Sequence, residues 1–124
     1  MKVTIDSETD IVLAEFDQDG FEIVTSEEDV VFGPMQMFAT SLGLCTFSVL
    51  AGYGQGIGAD IEGLAIRLRW DYAKNPYRIE PIEMDITWPA LPSSRLDAAR
   101  RAAEHCTIHH TLAVPTEVRT RVSV

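Results

Sequence analysis

The uncharged stretch from Gly33 to Gly58 constrains the fold more than any other feature of the chain. It reads GPMQMFATSLGLCTFSVLAGYGQGIG, in a chain of which 23% of the residues are charged. Proline is tolerated in the first turn of a helix, where its missing N–H would have no partner, and Pro34 suits that position. The glycine-rich end is typical of a helix terminus. A surface helix would show a polar stripe with a period of 3.6 residues, and this stretch has none. The sequence therefore predicts a helix that is buried on all sides.

Charge and targeting signals exclude several classes of partner. The helix is interrupted by Ser, Thr and Gly, whereas a membrane span needs about 20 consecutive apolar residues. The net charge of -9 argues against binding to nucleic acid or to an anionic membrane. The opening residues MKVTIDSETD lack the apolar core of a signal peptide. Two cysteines without an export signal are typical of free thiols in a reducing compartment. We therefore expect a cytoplasmic protein with no nucleic-acid or membrane partner.

Strand patterns flank the helix on both sides. Three short runs within residues 1 to 25, with turn chemistry at Asp17–Gly20, predict a three-stranded antiparallel meander. Two long alternating strands follow the helix, Leu64–Asp71 and Ile82–Trp88. The polar face of the first carries arginines and that of the second carries carboxylates, as cross-strand pairs often do. These segments predict a sheet beside the long helix.

The last third of the chain completes a single domain. A second helix is predicted from Ser94 to about Cys106, with Ser94 as its cap. An irregular piece then leads to a last strand, in which Val118, Val122 and Val124 alternate with polar residues. A length of 124 residues suits one domain, and the sequence has no internal repeat or linker. We predict one α+β domain spanning residues 1–124.

The two cysteines, Cys45 and Cys106, are the candidates for chemistry. A cysteine in a buried helix is commonly an inert small hydrophobe. A nucleophilic cysteine must be a thiolate, which requires a nearby cation, a helix N-terminus or a base. The start of the central helix at Pro34 lies about 16 Å before Cys45 at 1.5 Å per residue. The dipole of that helix therefore gives Cys45 little help.

Three histidines lie close to Cys106, at positions 105, 109 and 110. The spacing Cys106-x-x-His109 is found among metal ligands, but a structural zinc site usually shows four ligands in paired spacings. We therefore expect no metal here. His105, His109 and His110 are either incidental polar residues, or one of them alters the pKa of a thiol. The GxGxG within GYGQGIG follows a helix instead of joining a strand to a helix, so no dinucleotide cofactor is expected.

Both cysteine segments resemble those of the OsmC/Ohr superfamily, the osmotically inducible and organic-hydroperoxide-resistance proteins. In GPMQMFATSLGLCTFSVLAGY, a proline opens a helix rich in small residues, and Cys45 follows Pro34 at the family's spacing. In AARRAAEHCTIHHTLAVPTEVRTRVSV, Cys106 matches the family's second cysteine at the end of a late helix. The resemblance covers Gly33–Val124, and the first 32 residues agree only in their strand pattern.

The resemblance implies an OsmC-like α+β fold and an intertwined homodimer with the two central helices in its middle. It also implies a thiol-dependent hydroperoxide reductase, in which Cys45 attacks an organic hydroperoxide, Cys106 condenses with the resulting sulfenic acid, and an external dithiol restores both. The alternative is a non-enzymatic dimeric module that binds a small hydrophobic molecule in an apolar pocket. A helix that is apolar on every side independently favours a second copy, because three short strands give it little cover.

The sequence departs from the family where the cysteine is activated. Family members use an arginine from the N-terminal strands, held by a glutamate near the start of the central helix. Met35 stands at that glutamate position, Gln36 replaces the acid of a related subgroup, and Lys2 is the only cation before Arg67. The arginines that could substitute are Arg67, Arg69, Arg119 and Arg121. Without such a cation, burial predicts a raised pKa for Cys45 and slow thiol chemistry.

Overall fold

The computed structural model describes residues 1–124, which form one sheet with helices packed on it. The elements in chain order are β1 (Lys2–Ser7), β2 (Asp10–Ala14), β3 (Glu22–Thr25), α1 (Pro34–Ile57), β4 (Ala65–Ala73), β5 (Arg78–Thr87), a 3-10 turn (Ser93–Arg95), α2 (Leu96–Ala103) and α3 (Thr107–Ala113). The five strands lie in the order β3-β1-β2-β4-β5. The α+β class is confirmed, and so is the long central helix followed by two long strands.

The inner face of the sheet forms the core because side chains alternate along each strand. In the β1–β2 pair, Val3 is opposite Leu13 and Ile5 is opposite Ile11, and all four side chains are buried. The same face continues on β4 through further buried residues: Ile66, Leu68 and Trp70. Period-two alternation thus places one apolar side of each strand under α1, as the strand patterns predict.

A glutamine fixes the beginning of α1 and ties it to the sheet. The Gln36 carbonyl oxygen accepts a hydrogen bond from the Gly33 N–H at 2.9 Å, the glutamine half of a capping box. Its amide nitrogen donates to the Glu8 carbonyl at 2.6 Å, in the β1–β2 turn. Gln36 is buried and lies nowhere near Cys45, so its role is to position the helix.

α1 packs closely on the sheet at Gly43. A Cβ atom added there would lie 2.8 Å from Leu13 Cδ2 on β2 and 2.9 Å from Leu68 Cδ1 on β4. Both leucines are fully buried and have little room to move. Gly43 is therefore required for close packing of the helix on the leucine side chains. Gly52 has nothing within 4 Å in this chain.

Only one side of α1 is covered by its own chain. Residues at helical spacing remain exposed on the other side, and we call them the open face of α1: Met37, Ser41, Leu44, Ser48 and Gly52. The expectation of burial on all sides is thus met only where the sheet, α2 and α3 cover the helix. By length and composition α1 could cross a membrane, but the core helix of a soluble protein passes the same test.

The N-terminal strands differ from the predicted meander. β1 and β2 are antiparallel, but β3 pairs with β1 in parallel, with Val3 opposite Ile23. Both edges of β2 are already occupied, by β1 and β4, so the free edge of β1 is the one available to β3. The chain turns at Glu15, which has a φ of 52°, and crosses back past Gln18 and Gly20, whose carbonyls accept from the Met1 ammonium. The predicted hairpin at Asp17–Gly20 is therefore wrong.

The end of the chain also differs from the prediction. The second helix stops at Ala103, and the supposed irregular piece contains α3, which begins after Cys106. The Cys106 sulfur caps α3 by accepting from the His109 N–H at 3.4 Å. The predicted last strand is absent, because residues 115–124 pair with no other strand and are exposed to solvent. An isolated segment without a neighbouring strand cannot satisfy its backbone groups as a strand does.

The approach at Gly43 makes a testable prediction. Gly43→Ala places a methyl group against Leu13 and Leu68, and overpacking costs about 1–3 kcal/mol, partly offset by about 1 kcal/mol of helix propensity. We expect a net loss of about 1 kcal/mol in the free energy of unfolding, measured by urea denaturation. The control is Gly56→Ala, where nothing lies within 4 Å, which should not destabilise the protein. Equal effects at the two positions would contradict this account of Gly43.

Candidate thiol site

The two cysteines come together where α1 meets α3. Cys45 lies in the middle of α1 and is partly exposed, whereas Cys106 is fully buried at the cap of α3. Both are free thiols, and the two sulfurs lie close enough for each to influence the pKa of the other. The cysteines singled out in the sequence are therefore neighbours in space, on two elements held together by packing of α1 against α2 and α3.

The surroundings of Cys45 favour its thiolate. Desolvation raises the pKa of Cys45, but hydrogen bonds from the Cys106 thiol and from the backbone N–H groups of Ile108 and Thr107 lower it by more. The net effect is a pKa below the ordinary cysteine value. The raised pKa expected from the sequence is thus wrong for Cys45, because it counted burial and missed these donors.

Cys106 is shifted in the opposite direction. Desolvation raises the pKa of Cys106, the hydrogen bond to Cys45 raises it further, and the backbone N–H groups of His109 and Ile108 offset only part of this. When the pair loses a proton, it therefore does so more readily at Cys45 than at Cys106.

The donors that sequence reasoning missed are the backbone amides at the start of α3. Thr107 and Ile108 follow the cap residue directly, so their N–H groups have no partner within the helix. One sequence feature, Pro115, does indicate a helix in this region. Proline is common just after the end of a helix, so Pro115 favours a short helix before it. Side-chain patterns alone could not show that this helix starts against Cys45.

No arginine of this chain takes the place of the family's cation. Arg67 forms a two-pronged ion pair with Asp10, at 2.6 and 2.9 Å, on the outer face of the sheet. Arg69 is bound there by Asp85 at 2.7 Å. Arg119 pairs with Glu117, and Arg121 lies on the exposed segment that follows α3. Within one chain, amides and a neighbouring thiol are what stabilise the Cys45 anion.

The polar residues around the thiols are occupied elsewhere. The Ser41 and Ser48 hydroxyls, one turn either side of Cys45, donate to Met37 and Leu44 carbonyls of their own helix. The rings of His105 and His110 lie 5.8 Å apart between centroids. No group of three or more His, Cys, Asp or Glu side chains is placed to hold a metal ion.

A separate apolar groove lies between β5 and the helices α2 and α3. Its volume is about 980 Å³, and neither cysteine lines it. Most of its surface comes from large apolar side chains, among them Ile82, Met84, Ile86, Leu91, Leu96 and Leu112. The groove is therefore a neighbour of the thiol pair and not its entrance.

Fold and site together define an α+β protein whose long central helix presents one thiol to a second thiol. Residues 26–121 match the model of the OsmC-like protein family. The chain therefore belongs to the OsmC-like family, as its two cysteine segments indicated. A search of the curated proteins found no match.

Two solved structures share the fold. One is an OsmC-like hydroperoxide resistance protein from Jannaschia sp. CCS1, with a TM-score of 0.61 and 20% identity over 98% of this chain and 89% of that one. The other, from Psychrobacter arcticus 273-4, has a name that ties it to osmotic stress and detoxification responses. Its TM-score is 0.60 and its identity 19%, over 88% of this chain and 84% of that one.

The division of roles between the thiols can be tested by alkylation. The pKa of Cys45 is lowered, so its alkylation by iodoacetamide should reach half its maximal rate at a lower pH than that of an ordinary cysteine. Cys106→Ala removes one donor and the cap of α3, and should move this midpoint upward. Cys106→Ser keeps a hydroxyl donor and a good cap, and should move it less. Identical pH profiles for the three proteins would show that Cys106 does not support the anion.

Proposed function

We propose that this protein is a cysteine-based peroxidase that reduces organic hydroperoxides, with Cys45 as the attacking thiol and Cys106 as the resolving thiol. The observation that carries the proposal is the meeting of two free thiols at the start of α3, where the pKa of Cys45 is lowered and that of Cys106 is raised. A peroxidase of this kind needs a thiolate and a second thiol within reach of it. Family membership supports the same chemistry.

The first step consumes the peroxide. The Cys45 thiolate attacks the terminal oxygen of R–O–OH, so that a sulfur–oxygen bond forms and the oxygen–oxygen bond breaks. Sulfur is oxidised to a sulfenic acid, and the alkoxide RO⁻ leaves. The Cys106 thiol, hydrogen-bonded to Cys45, supplies the proton that converts RO⁻ to the alcohol. The raised pKa of Cys106 suits this role, because it keeps the proton in place until the alkoxide forms.

The second step joins Cys45 and Cys106 in a disulfide. The Cys106 thiolate left by proton transfer attacks the sulfenic sulfur of Cys45, forms a sulfur–sulfur bond and expels hydroxide. An external dithiol then reduces this disulfide and returns both thiols. The cycle needs no metal and no bound cofactor. In place of the arginine that the resemblance implies, the amide N–H groups of Thr107 and Ile108 would stabilise charge on the reacting sulfur.

The proposed working form is a homodimer in the cytoplasm. The open face of α1 carries no charge, and two of its members, Met37 and Leu44, are large apolar side chains exposed in the single chain. The open space beside Gly52 leaves room for another backbone. A second copy that packs on this face would also limit access to the partly exposed Cys45. Two free thiols suit a reducing compartment.

The groove beside β5 favours a second candidate function. Its apolar lining and its volume of about 980 Å³ fall in the range of small-molecule sites. A non-enzymatic module that binds a small hydrophobic molecule would use this groove and leave the thiols idle. Neither cysteine lines the groove, so a substitution at a cysteine should leave binding in the groove intact. Experiments can therefore separate the two candidate functions.

The peroxidase proposal is tested by turnover with an organic hydroperoxide and a dithiol. Cys45→Ser should reduce turnover to the rate without protein, because the nucleophile is gone. Cys106→Ser should still form the sulfenic acid in one turnover, without a disulfide, as detected by mass spectrometry. If the parent protein keeps two free thiols after one equivalent of hydroperoxide, the peroxidase proposal fails. Displacement of a fluorescent fatty acid from such a protein would then support the binding module.

The dimer proposal is tested at Leu44, which lies in the middle of the open face. Leu44→Glu would place an unpaired charge between two helices, and should raise the dimer dissociation constant at least about tenfold. Sedimentation equilibrium measures this constant directly. Tyr77→Glu is the matched control, since Tyr77 is also an exposed large side chain but lies in the β4–β5 connection. A parent protein that stays monomeric at micromolar concentration would overturn the dimer.

A further inference from the structure

The two cysteines differ in how far solvent reaches them. Cys45 lies on α1 and is partly exposed, whereas Cys106 has 0% of its surface exposed. Cys106 belongs to the same buried core as Leu42 and Ala103, and its sulfur accepts a hydrogen bond from the His109 N–H at 3.4 Å. A reagent in solvent can therefore reach one cysteine of the pair and not the other.

This difference matters when an external thiol opens a disulfide between the two cysteines. Thiol–disulfide exchange begins with attack of a thiolate on one of the two sulfurs, and the other sulfur leaves as a thiolate. The attacking thiolate approaches in line with the sulfur–sulfur bond, from the side opposite the leaving sulfur. Every such approach to Cys106 passes through the core, so its sulfur is reached only after the core opens locally.

We propose that the external dithiol attacks the sulfur of Cys45, so that the mixed disulfide forms on Cys45 and Cys106 is the leaving group. The dithiol would reach Cys45 by the same approach that admits the hydroperoxide in the first step. This reaction belongs to the peroxidase cycle proposed above and rests on it for the source of the disulfide, which a chemical oxidant can also supply.

The exchange balances in two steps. First, a thiolate of the dithiol forms a bond to the Cys45 sulfur, the bond between Cys45 and Cys106 breaks, and the Cys106 thiolate takes up a proton. The second thiol of the reductant then loses its proton and attacks the reductant's own sulfur in the mixed disulfide, which expels Cys45 as a thiolate. The reductant is oxidised to a disulfide, both cysteines are reduced, and Cys45 returns in the form that attacks peroxide.

Two effects on the leaving group oppose each other. The N–H groups of His109 and Ile108 lower the pKa of Cys106 and can stabilise its departing anion. The pKa of Cys106 nevertheless stays raised, because desolvation outweighs these donors. Leaving-group strength alone would therefore favour departure of Cys45 and attack at Cys106. Access outweighs that preference, because a thiol cannot attack a sulfur that it cannot touch.

The raised pKa of Cys106 also preserves the mixed disulfide on Cys45. The competing reaction is the return of Cys106 to the Cys45 sulfur, and that reaction needs the Cys106 thiolate. Because its pKa is raised, Cys106 takes up a proton after it leaves and is seldom an anion. The lowered pKa of Cys45 then makes Cys45 a good leaving group for the second step.

The site of attack is tested by mapping the first product. The parent protein is oxidised with diamide, exposed to the monothiol β-mercaptoethanol, and quenched with acid at short times before free thiols are blocked with N-ethylmaleimide. Cleavage after Arg67 and Arg101 places the two cysteines on different peptides for mass spectrometry. We expect the mercaptoethanol adduct on Cys45 and the maleimide on Cys106 from the earliest time.

Each other outcome of the mapping overturns the assignment. These outcomes are an adduct on Cys106, adducts on both cysteines in equal amounts at the earliest time, and no disulfide after diamide. Failure of the peroxidase gives a different result, in which diamide forms the disulfide but an organic hydroperoxide does not. The peroxidase proposal then fails, while the mapping still decides which sulfur is attacked.

A backbone substitution gives an independent test. Thr107 is the first residue of α3 and follows the extended cap residue Cys106, a position that accepts proline. Thr107→Pro removes an N–H that lowers the pKa of Cys45, but it keeps the His109 N–H that donates to Cys106. The pH midpoint of Cys45 alkylation should therefore rise, while β-mercaptoethanol should open the disulfide at the parent rate.

The rate of opening identifies the leaving group. If Cys45 left instead, the higher pKa of Cys45 in Thr107→Pro would slow the opening of the disulfide, and that result would overturn the assignment. Thr107→Ala is the matched control because it keeps the N–H, and it should match the parent in both measurements. The mapping uses the parent protein, so it decides the question even where the proline variant does not fold.

Discussion

The packing of α1 onto the sheet at Gly43 is the constraint on which the rest of the structure depends. With no side chain at this position, the helix approaches Leu13 and Leu68 closely enough to cover β2 and β4. Cys45 lies two residues further on, so it is turned away from the sheet and toward α3. The depth at which α1 packs on the sheet therefore fixes the position at which Cys45 meets Thr107 and Ile108.

Activation by backbone amides differs physically from activation by an arginine. An ion pair at a partly exposed site is screened by salt, whereas a hydrogen bond from an N–H group is short-range and depends mainly on geometry. Here that geometry is held by Cys106, whose sulfur caps α3 and also meets Cys45. The Cys106 side chain thus orients the amide donors of α3 and also interacts directly with Cys45. The order of α3 and the reactivity of Cys45 are therefore coupled.

The sequence predicted those parts of the fold that depend on local pattern. The uncharged run gave α1, alternation gave β4 and β5, and the spacing of Pro34 and Cys45 indicated the family that the match over residues 26–121 confirms. The predictions were wrong where the pairing of a strand depends on which edges of the sheet are free. β3 took the edge of β1 because β2 was already occupied, and residues 115–124 found no edge in their own chain. The pKa of Cys45 was missed because its donors are backbone groups, which no side-chain pattern reveals.

α3 links the thiol pair to the end of the chain. Its first turn carries the amides that lower the pKa of Cys45, and its last turn leads into the exposed residues 115–124. A helix of seven residues is marginal on its own, since short helices rely on contacts with the rest of the protein. Its order then comes from the Cys106 cap and from its packing against α1. A change that loosens this cap would therefore also displace the amide donors from Cys45.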